Sequence, residues 1–237
     1  MAVDYGLDAP GVVRNFAIAG ALLAVAAVAS AVAGAPLAAE LVGLVAVMFL
    51  ATVALMVHSS RRGKLIERDR LLDGLRLRGD EHVLDVGCGR GLLLLGAAKR
   101  LPDGRAVGVD IWSAEDQSDN SRAATVANAE AEGVAGRIEV VDADMRALPF
   151  ADASFDAVVS SIAIHNLDDA DDRELAGHEI ARVVRPGGRV AVLDLRATGE
   201  YAIAFEDAGL VDVERSGLSF RMYPPVRVVT ARRPAAA

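Results

Sequence analysis

The sequence predicts an α/β protein: a doubly wound seven-stranded sheet with an antiparallel last strand, preceded by two transmembrane helices. Three observations predict it. Beyond residue 80, short β-branched runs alternate with amphipathic ones. A glycine-rich turn, Asp85-Val86-Gly87-Cys88-Gly89-Arg90-Gly91, separates the first such run from the next. Two long apolar stretches fill the first 60 residues. Alternation of this kind means a largely parallel sheet covered on both faces.

The apolar stretches come first. Phe16 to Gly34 and Leu41 to Val57 are each near the roughly 20 residues that cross a bilayer, and Gly34-Ala35-Pro36 stops one helix and starts the next. The reading is a membrane anchor over residues 1–60, with helices at about 12–33 and 38–58. Arg14, Arg61, Arg62 and Lys64 flank the open ends and none lies in the turn. That places the N-terminus and everything after the hairpin in the cytoplasm, in a multi-pass protein of the cell membrane. Two rival readings remain open: a cleaved signal peptide, which would account for the first stretch only, and two buried helices of a soluble protein.

Residues 61–79 read as an amphipathic linking helix, with Leu65, Ile66, Leu71, Leu72 and Leu75 set against Arg, Glu and Asp, ending near Gly79. The catalytic-type domain then spans 80–237. Its expected strands are 82–86, 106–110, 138–142, 157–161, 189–195, 211–216 and 226–231. Its expected helices are 91–100, 121–132, 171–184 and 201–208. The last two strands follow one another without a clear helix between them, so they form an antiparallel hairpin at the sheet edge. Arg185-Pro186-Gly187-Gly188 reads as a turn introducing the fifth strand.

Charge and cysteine content narrow the partners. A net charge of −8 argues against a sequence-independent nucleic-acid binder. The single cysteine excludes an intramolecular disulfide, and no Cys/His cluster has zinc-ligand spacing.

Ligands of such sheets bind at the carboxyl ends of the strands. The glycines at 87, 89 and 91 depart from the G-x-G-x-x-G dinucleotide spacing, and no G-K-[ST] follows. Asp85 is a poor neighbour for pyrophosphate and a reasonable one for a cationic ligand carrying amine and hydroxyl groups. Asp110 ends the second strand, about twenty residues past the turn, where an acid accepts ribose hydroxyls. Asp144, ahead of Leu148-Pro149-Phe150, can accept from an adenine amino group, with Asp142 as the second candidate. Ser160-Ser161 ends the fourth strand and leads to His165.

These pieces, in this order and with Ser154-Phe155-Asp156 and Val184 to Gly188, resemble the class I S-adenosylmethionine-dependent methyltransferases. The branch they most resemble includes the ubiquinone/menaquinone-biosynthesis enzymes. The resemblance covers roughly Leu71 to the C-terminus and implies a Rossmann-like sheet with S-adenosyl-L-methionine as cofactor. It implies that Gly87, Gly89 and Gly91 flank the methionine portion, with Cys88 inside the turn and Asp85 fixing the loop. Asp110 would hold the ribose, Ile111 would pack on adenine, Asp144 would meet the adenine amino group with Met145 beside it, and Ser161 would lie near the methionine end. No metal is implied. The Asn/Asp-Pro-Pro-aromatic sequence of many amino- and base-methylating relatives is replaced here by Ser160-Ser161-Ile162-Ala163-Ile164-His165-Asn166-Leu167. That lowers the standing of adenine or amide nitrogen as acceptor.

The expected function is therefore methyl transfer at a membrane to a small, lipid-like acceptor. A tethered cofactor-binding protein without turnover and an NAD(P)-dependent reductase are the alternatives. His165 is either the general base for an O–H or acidic C–H acceptor or a histidine that packs at the pocket wall. Trp112 either covers the adenine or fills the loop core, and the polar segment 112–122 is either a lid or a surface loop.

Overall fold

A computed structural model describes residues 3–113 and 117–236. Helix α1 (Pro10–Val32) and helix α2 (Pro36–His58) form a tight hairpin. Each has 23 residues, about 34 Å of helix at 1.5 Å per residue. Both are long and apolar enough to cross a membrane. They pack chiefly on each other. Phe16 and Phe49 meet edge to face at 5.1 Å, and a Cβ on Gly20 would come within 2.9 Å of Leu50. Their outer faces, including Ile18, Leu22, Val25, Leu41, Leu44 and Met48, are exposed.

The linking helix differs from expectation in both its start and its end. Chain continues from α2 through one π-helical turn (Ser59–Gly63) straight into α3 (Lys64–Gly74), which stops five residues short of Gly79. Gly63 is required there: a Cβ would lie 2.2 Å from the Arg221 carbonyl oxygen. The π turn, a feature frequent at functional sites, thus seats the hairpin base against the loop 216–226.

The remaining elements follow the sequence closely. They are β1 (His82–Val86), α4 (Leu92–Lys99), β2 (Arg105–Asp110), α5 (Arg122–Ala131), β3 (Ile138–Asp142), β4 (Phe155–Ser161), α6 (Ala170–Val183), β5 (Val184–Asp194), α7 (Thr198–Asp207), β6 (Val211–Arg215) and β7 (Arg227–Arg232). The sheet order is β3-β2-β1-β4-β5-β7-β6. Strands β1 to β5 are parallel; β7 runs antiparallel between β5 and β6. The last two strands therefore pair as expected, with the final strand inserted and β6 at the edge. Period-two alternation divides the core: Val83 joins the cluster under α3 and α4, while Leu84 and Val86 join the one under α6 and α7.

The segment Arg185–Gly188 is not a turn before β5. It lies within the strand as a bulge, where pairing jumps from Phe155–Val184 to Ala157–Arg189 and Gly187 takes φ 79°. A bulge and a turn draw on the same glycines, so the sequence could not separate them.

Candidate active site

The order of strands reverses between β1 and β4, the place where open α/β sheets bind ligands. A cavity of about 480 Å³ opens there, within the usual range for small-molecule sites. Asp85, Gly87, Cys88, Gly89, Asp110, Ile111, Asp144, Met145 and Ser161 all line it. Gly91 sits just behind, at the cap of α4.

The glycine turn is shaped by backbone rather than by open space. Gly87, Gly89 and Gly91 have φ of 71°, 48° and 89°, the left-handed region that glycine enters freely. A Cβ on Gly87 would fall 2.3 Å from that of Ala163, and one on Gly91 would fall 2.1 Å from Leu95 Cδ1. Neighbouring protein atoms already take the room beside Gly87 and Gly91, and these glycines let the loop pack against Ala163 after β4 and against α4.

Two carboxyl groups pin the loop. Asp85 is buried; its Oδ2 accepts the Leu94 N–H at 2.8 Å, holding the first turn of α4. Asp110 accepts Gly89 N–H on Oδ2 at 2.8 Å and Trp112 N–H on Oδ1 at 2.6 Å. A carboxylate has about four lone-pair sites, so Asp110 retains capacity toward the cavity. Asp144 accepts a fork from Arg146, at 3.0 Å on Oδ1 and 2.6 Å on Oδ2, and Arg146 also reaches Asp172 at 2.7 Å. The Arg146 guanidinium holds the Asp144 carboxyl below the usual carboxylate range. Asp142 does not line the cavity; it accepts Trp112 Nε1 at 2.7 Å and lies near Arg122. Trp112 packs against the core and does not line the cavity. Burial raises the Cys88 thiol well above its ordinary range, which leaves it an unreactive wall of the site.

Burial also pushes the Asp85 carboxyl up to about 8. An unfolded aspartate ionises near 4, so between these values the folded state holds a proton that the unfolded state has lost. Stability then falls as pH rises through that window. Asp85→Asn, which keeps an acceptor for Leu94, is expected to flatten the fall. Urea midpoints at about pH 5 and 8 check this; an unchanged difference in the variant would mean that Asp85 is already ionised in the fold.

His165 lies outside this cavity. It follows β4 in a 3₁₀ turn and lines a separate, adjoining cavity. Its Nδ1 lies 2.6 Å from Oδ1 of the buried Asp194. Of the polar segment 112–122, residues 114–116 lie outside the described residues. Ser113, Gln117 and Asn120 line the cofactor cavity.

One wall is nearly unsigned in the sequence. Residues 4–9 form a strap across the glycine turn. Arg90 Nε donates to the Asp4 carbonyl at 2.8 Å, and Gln117 bridges Arg90 N–H and the Tyr5 carbonyl at 3.0 Å each. Lys64, 3% exposed, donates to the carbonyls of Tyr5 and Gly6 and to Asp8 Oδ1 at 2.9, 2.8 and 3.0 Å. Asp8 and Lys64 both line the cofactor cavity. Most of these contacts run to backbone carbonyls, which carry no residue signature. A lysine on the apolar side of the linking helix is the one hint.

Comparison with known proteins agrees with this geometry. Residues 84–192 match the methyltransferase-domain family. The ubiquinone/menaquinone biosynthesis C-methyltransferase of Dinoroseobacter shibae is 36% identical over 127 residues, 54% of this chain and 47% of that protein. The 27-O-demethylrifamycin SV methyltransferase of Amycolatopsis mediterranei is 34% identical over 148 residues, 62% of this chain and 48% of that protein. An S-adenosylmethionine-dependent methyltransferase from Aquifex aeolicus has the same fold, with a TM-score of 0.57 at 19% identity over 74% of this chain and 94% of that one. The chain spans about half the length of these curated relatives. Over residues 84–192 the chain is thus similar to methyltransferase domains, and its cofactor is S-adenosylmethionine.

Proposed function

We propose that this protein is a membrane-anchored methyltransferase that transfers a methyl group from S-adenosylmethionine to a small lipophilic acceptor. The observation that carries this is the position of the cofactor cavity. Asp8, two residues before α1, and Lys64, at the start of α3, are both part of its wall. An acceptor dissolved in lipid would reach such a site without crossing bulk water. Unlike the core helices of a soluble protein, α1 and α2 keep most of their apolar surface uncovered. Arg61 and Arg62 are exposed at the hairpin base, where anionic headgroups would meet them. Exposed Leu218 and Phe220 lie on the neighbouring loop. The quinone-biosynthesis and rifamycin enzymes named above act, by their names, on acceptors of related character.

The cofactor supplies a methyl group already activated on a sulfonium, so the protein's task is alignment and exclusion of water. Asp110 would hold the ribose and Asp144 the adenine amino group, with Ile111 against the adenine. Gly87, Gly89 and Ser161 would border the methionine end. His165 is the candidate base for a protonated acceptor.

Incubation with methyl-labelled S-adenosylmethionine and either a membrane or a soluble extract tests the proposal. Label is expected in lipid-extractable product from the membrane extract alone. Binding of S-adenosylhomocysteine with no label from either extract would mark a cofactor-binding protein without turnover.

A further inference from the structure

A second, smaller cavity lies between the hairpin base and the carboxyl ends of β4 and β5. Its volume is about 160 Å³, and Met56, Ser59 and Ser60 of the hairpin base face His165, Leu195 and Tyr223 across it. Asp8, Ile162, Asn166 and Met222 belong to the walls of both this cavity and the cofactor cavity, so the two adjoin. We propose that this smaller cavity is the acceptor site, and that it takes a single aromatic ring bearing a hydroxyl group whose proton passes to His165 Nε2. The proposal rests on the methyltransferase reading above and names its acceptor class.

Size selects the ring. A cavity of about 150 Å³ accommodates one benzene, so the volume here matches a single ring. The walls suit it: Met56, Ile162 and Leu195 are apolar, and His165 and Asn166, with Asp8, Ser59 and Ser60, are polar. The solvent-exposed residues of its wall are Asn166, Tyr223 and Pro224.

The histidine is held as a base. Asp194 is fully buried, and its Oδ1 faces His165 Nδ1 at 2.6 Å and accepts Leu195 N–H at 2.7 Å. Its Oδ2 accepts the Tyr201 hydroxyl at 3.1 Å and His165 N–H at 3.2 Å. The Asp194 carboxyl lies 2.6 Å from Nδ1 outside hydrogen-bond geometry, and its charge favours the tautomer protonated there, which leaves Nε2 as the acceptor. The other charged groups nearby are Arg196, which donates to the His165 carbonyl at 2.8 Å, and Asp8, paired with Lys64. Ile162, a β-branched residue at φ 53°, carries the chain from β4 toward His165. Backbone of that kind persists only where the surroundings impose it, and it clusters at functional sites.

Proton affinity selects the hydroxyl. An aromatic hydroxyl ionises near 10, far more readily than a hydroxyl as weakly acidic as water, so it is the one whose proton a neutral imidazole can take. In the step itself the acceptor O–H bond breaks and an N–H bond forms at Nε2. The oxygen keeps the electron pair as a phenolate, and the imidazolium forms beside the Asp194 carboxylate.

The test uses the full chain in lipid nanodiscs, saturated with S-adenosylhomocysteine, and 4-nitrophenol as probe, since its phenolate absorbs at longer wavelength than its phenol. Saturable binding is expected, with the bound probe ionised at a pH where the free probe is not. His165→Gln should retain binding and lose the phenolate band. Leu195→Trp should weaken probe binding by about tenfold or more by filling the cavity, with S-adenosylhomocysteine affinity unchanged; Met56→Trp, on another element, serves the same purpose should Leu195→Trp unfold. The fused-ring analogue 4-nitro-1-naphthol should bind more weakly than 4-nitrophenol. A wild-type protein that holds S-adenosylhomocysteine but not the probe, a phenolate band that survives His165→Gln, or probe affinity untouched by the tryptophans would overturn the proposal. Failure of the wild type to bind S-adenosylhomocysteine would instead overturn the methyltransferase reading beneath it.

Discussion

Asp110→Ala is expected to weaken S-adenosylhomocysteine binding by about 10- to 100-fold, the equivalent of about one of the roughly 1.5–3 kcal/mol contributions that hydrogen bonds to charged groups make. The carboxylate has two jobs at once. It holds the Gly89 N–H at 2.8 Å and the Trp112 N–H at 2.6 Å, fixing the turn after β1 to the turn after β2. Its remaining lone pairs face the cavity where ribose hydroxyls would bind. Alanine removes both, whereas Asp110→Asn keeps one oxygen and places an N–H₂ group against a backbone donor. The asparagine variant should therefore recover only part of the affinity. Calorimetric titration of the three proteins reads the effect directly. Wild-type affinity in Asp110→Ala would show that the acid at the end of β2 takes no part in holding the cofactor.

That acid was legible because its position follows from topology. A parallel strand next to β1 must end near the glycine turn, and an Asp at the end of it can only point at the same crevice. Ile111, 65% exposed at the cavity rim, follows by one residue. The boundaries of β1 and β3 were legible for a different reason: short β-branched runs bounded by polar turns have no competing helical period. Long-range contacts were not legible. Arg146 grips Asp144 from two residues away, a fork that spacing rules for helices and strands do not anticipate. His165 reads, by its distance from β4, as a neighbour of the methyl group. The left-handed backbone at Ile162 sends it to the adjoining cavity instead. The strap over residues 4–9 was hidden because its partners are carbonyl oxygens, identical at every residue, and because Lys64 reads as one more charge in a basic flank.

Lys64→Met is expected to lower the stability of the protein by about 2–3 kcal/mol, at or below the low end of what breaking a buried ion pair costs. All three ammonium donors are used, on Tyr5, Gly6 and Asp8. Methionine fills the volume but leaves two carbonyls and a carboxylate without their cation. The estimate sits low because the Asp8 side chain is 29% exposed, so water can reach it once the lysine is gone, and because Ser60 still bonds it at 2.9 Å. The larger consequence is at a distance. The strap that Lys64 holds also carries Asp4, which meets Arg90 on the glycine turn, and Tyr5, which meets Gln117, itself bonded to the Arg90 N–H. Releasing it removes the brace from the loop between Gly89 and Gly91, so S-adenosylhomocysteine affinity should fall by about 5- to 30-fold, the equivalent of one or two kcal/mol. Asp8→Asn should do less, since Lys64 keeps both carbonyls. Arginine should not substitute for Lys64, because its planar fork cannot converge on three acceptors as a compact ammonium does. Trp112, the sole tryptophan, borders the same loop and reports unfolding by fluorescence. A Lys64→Met protein with wild-type unfolding and wild-type affinity would mean that the strap lies on the site without bracing it.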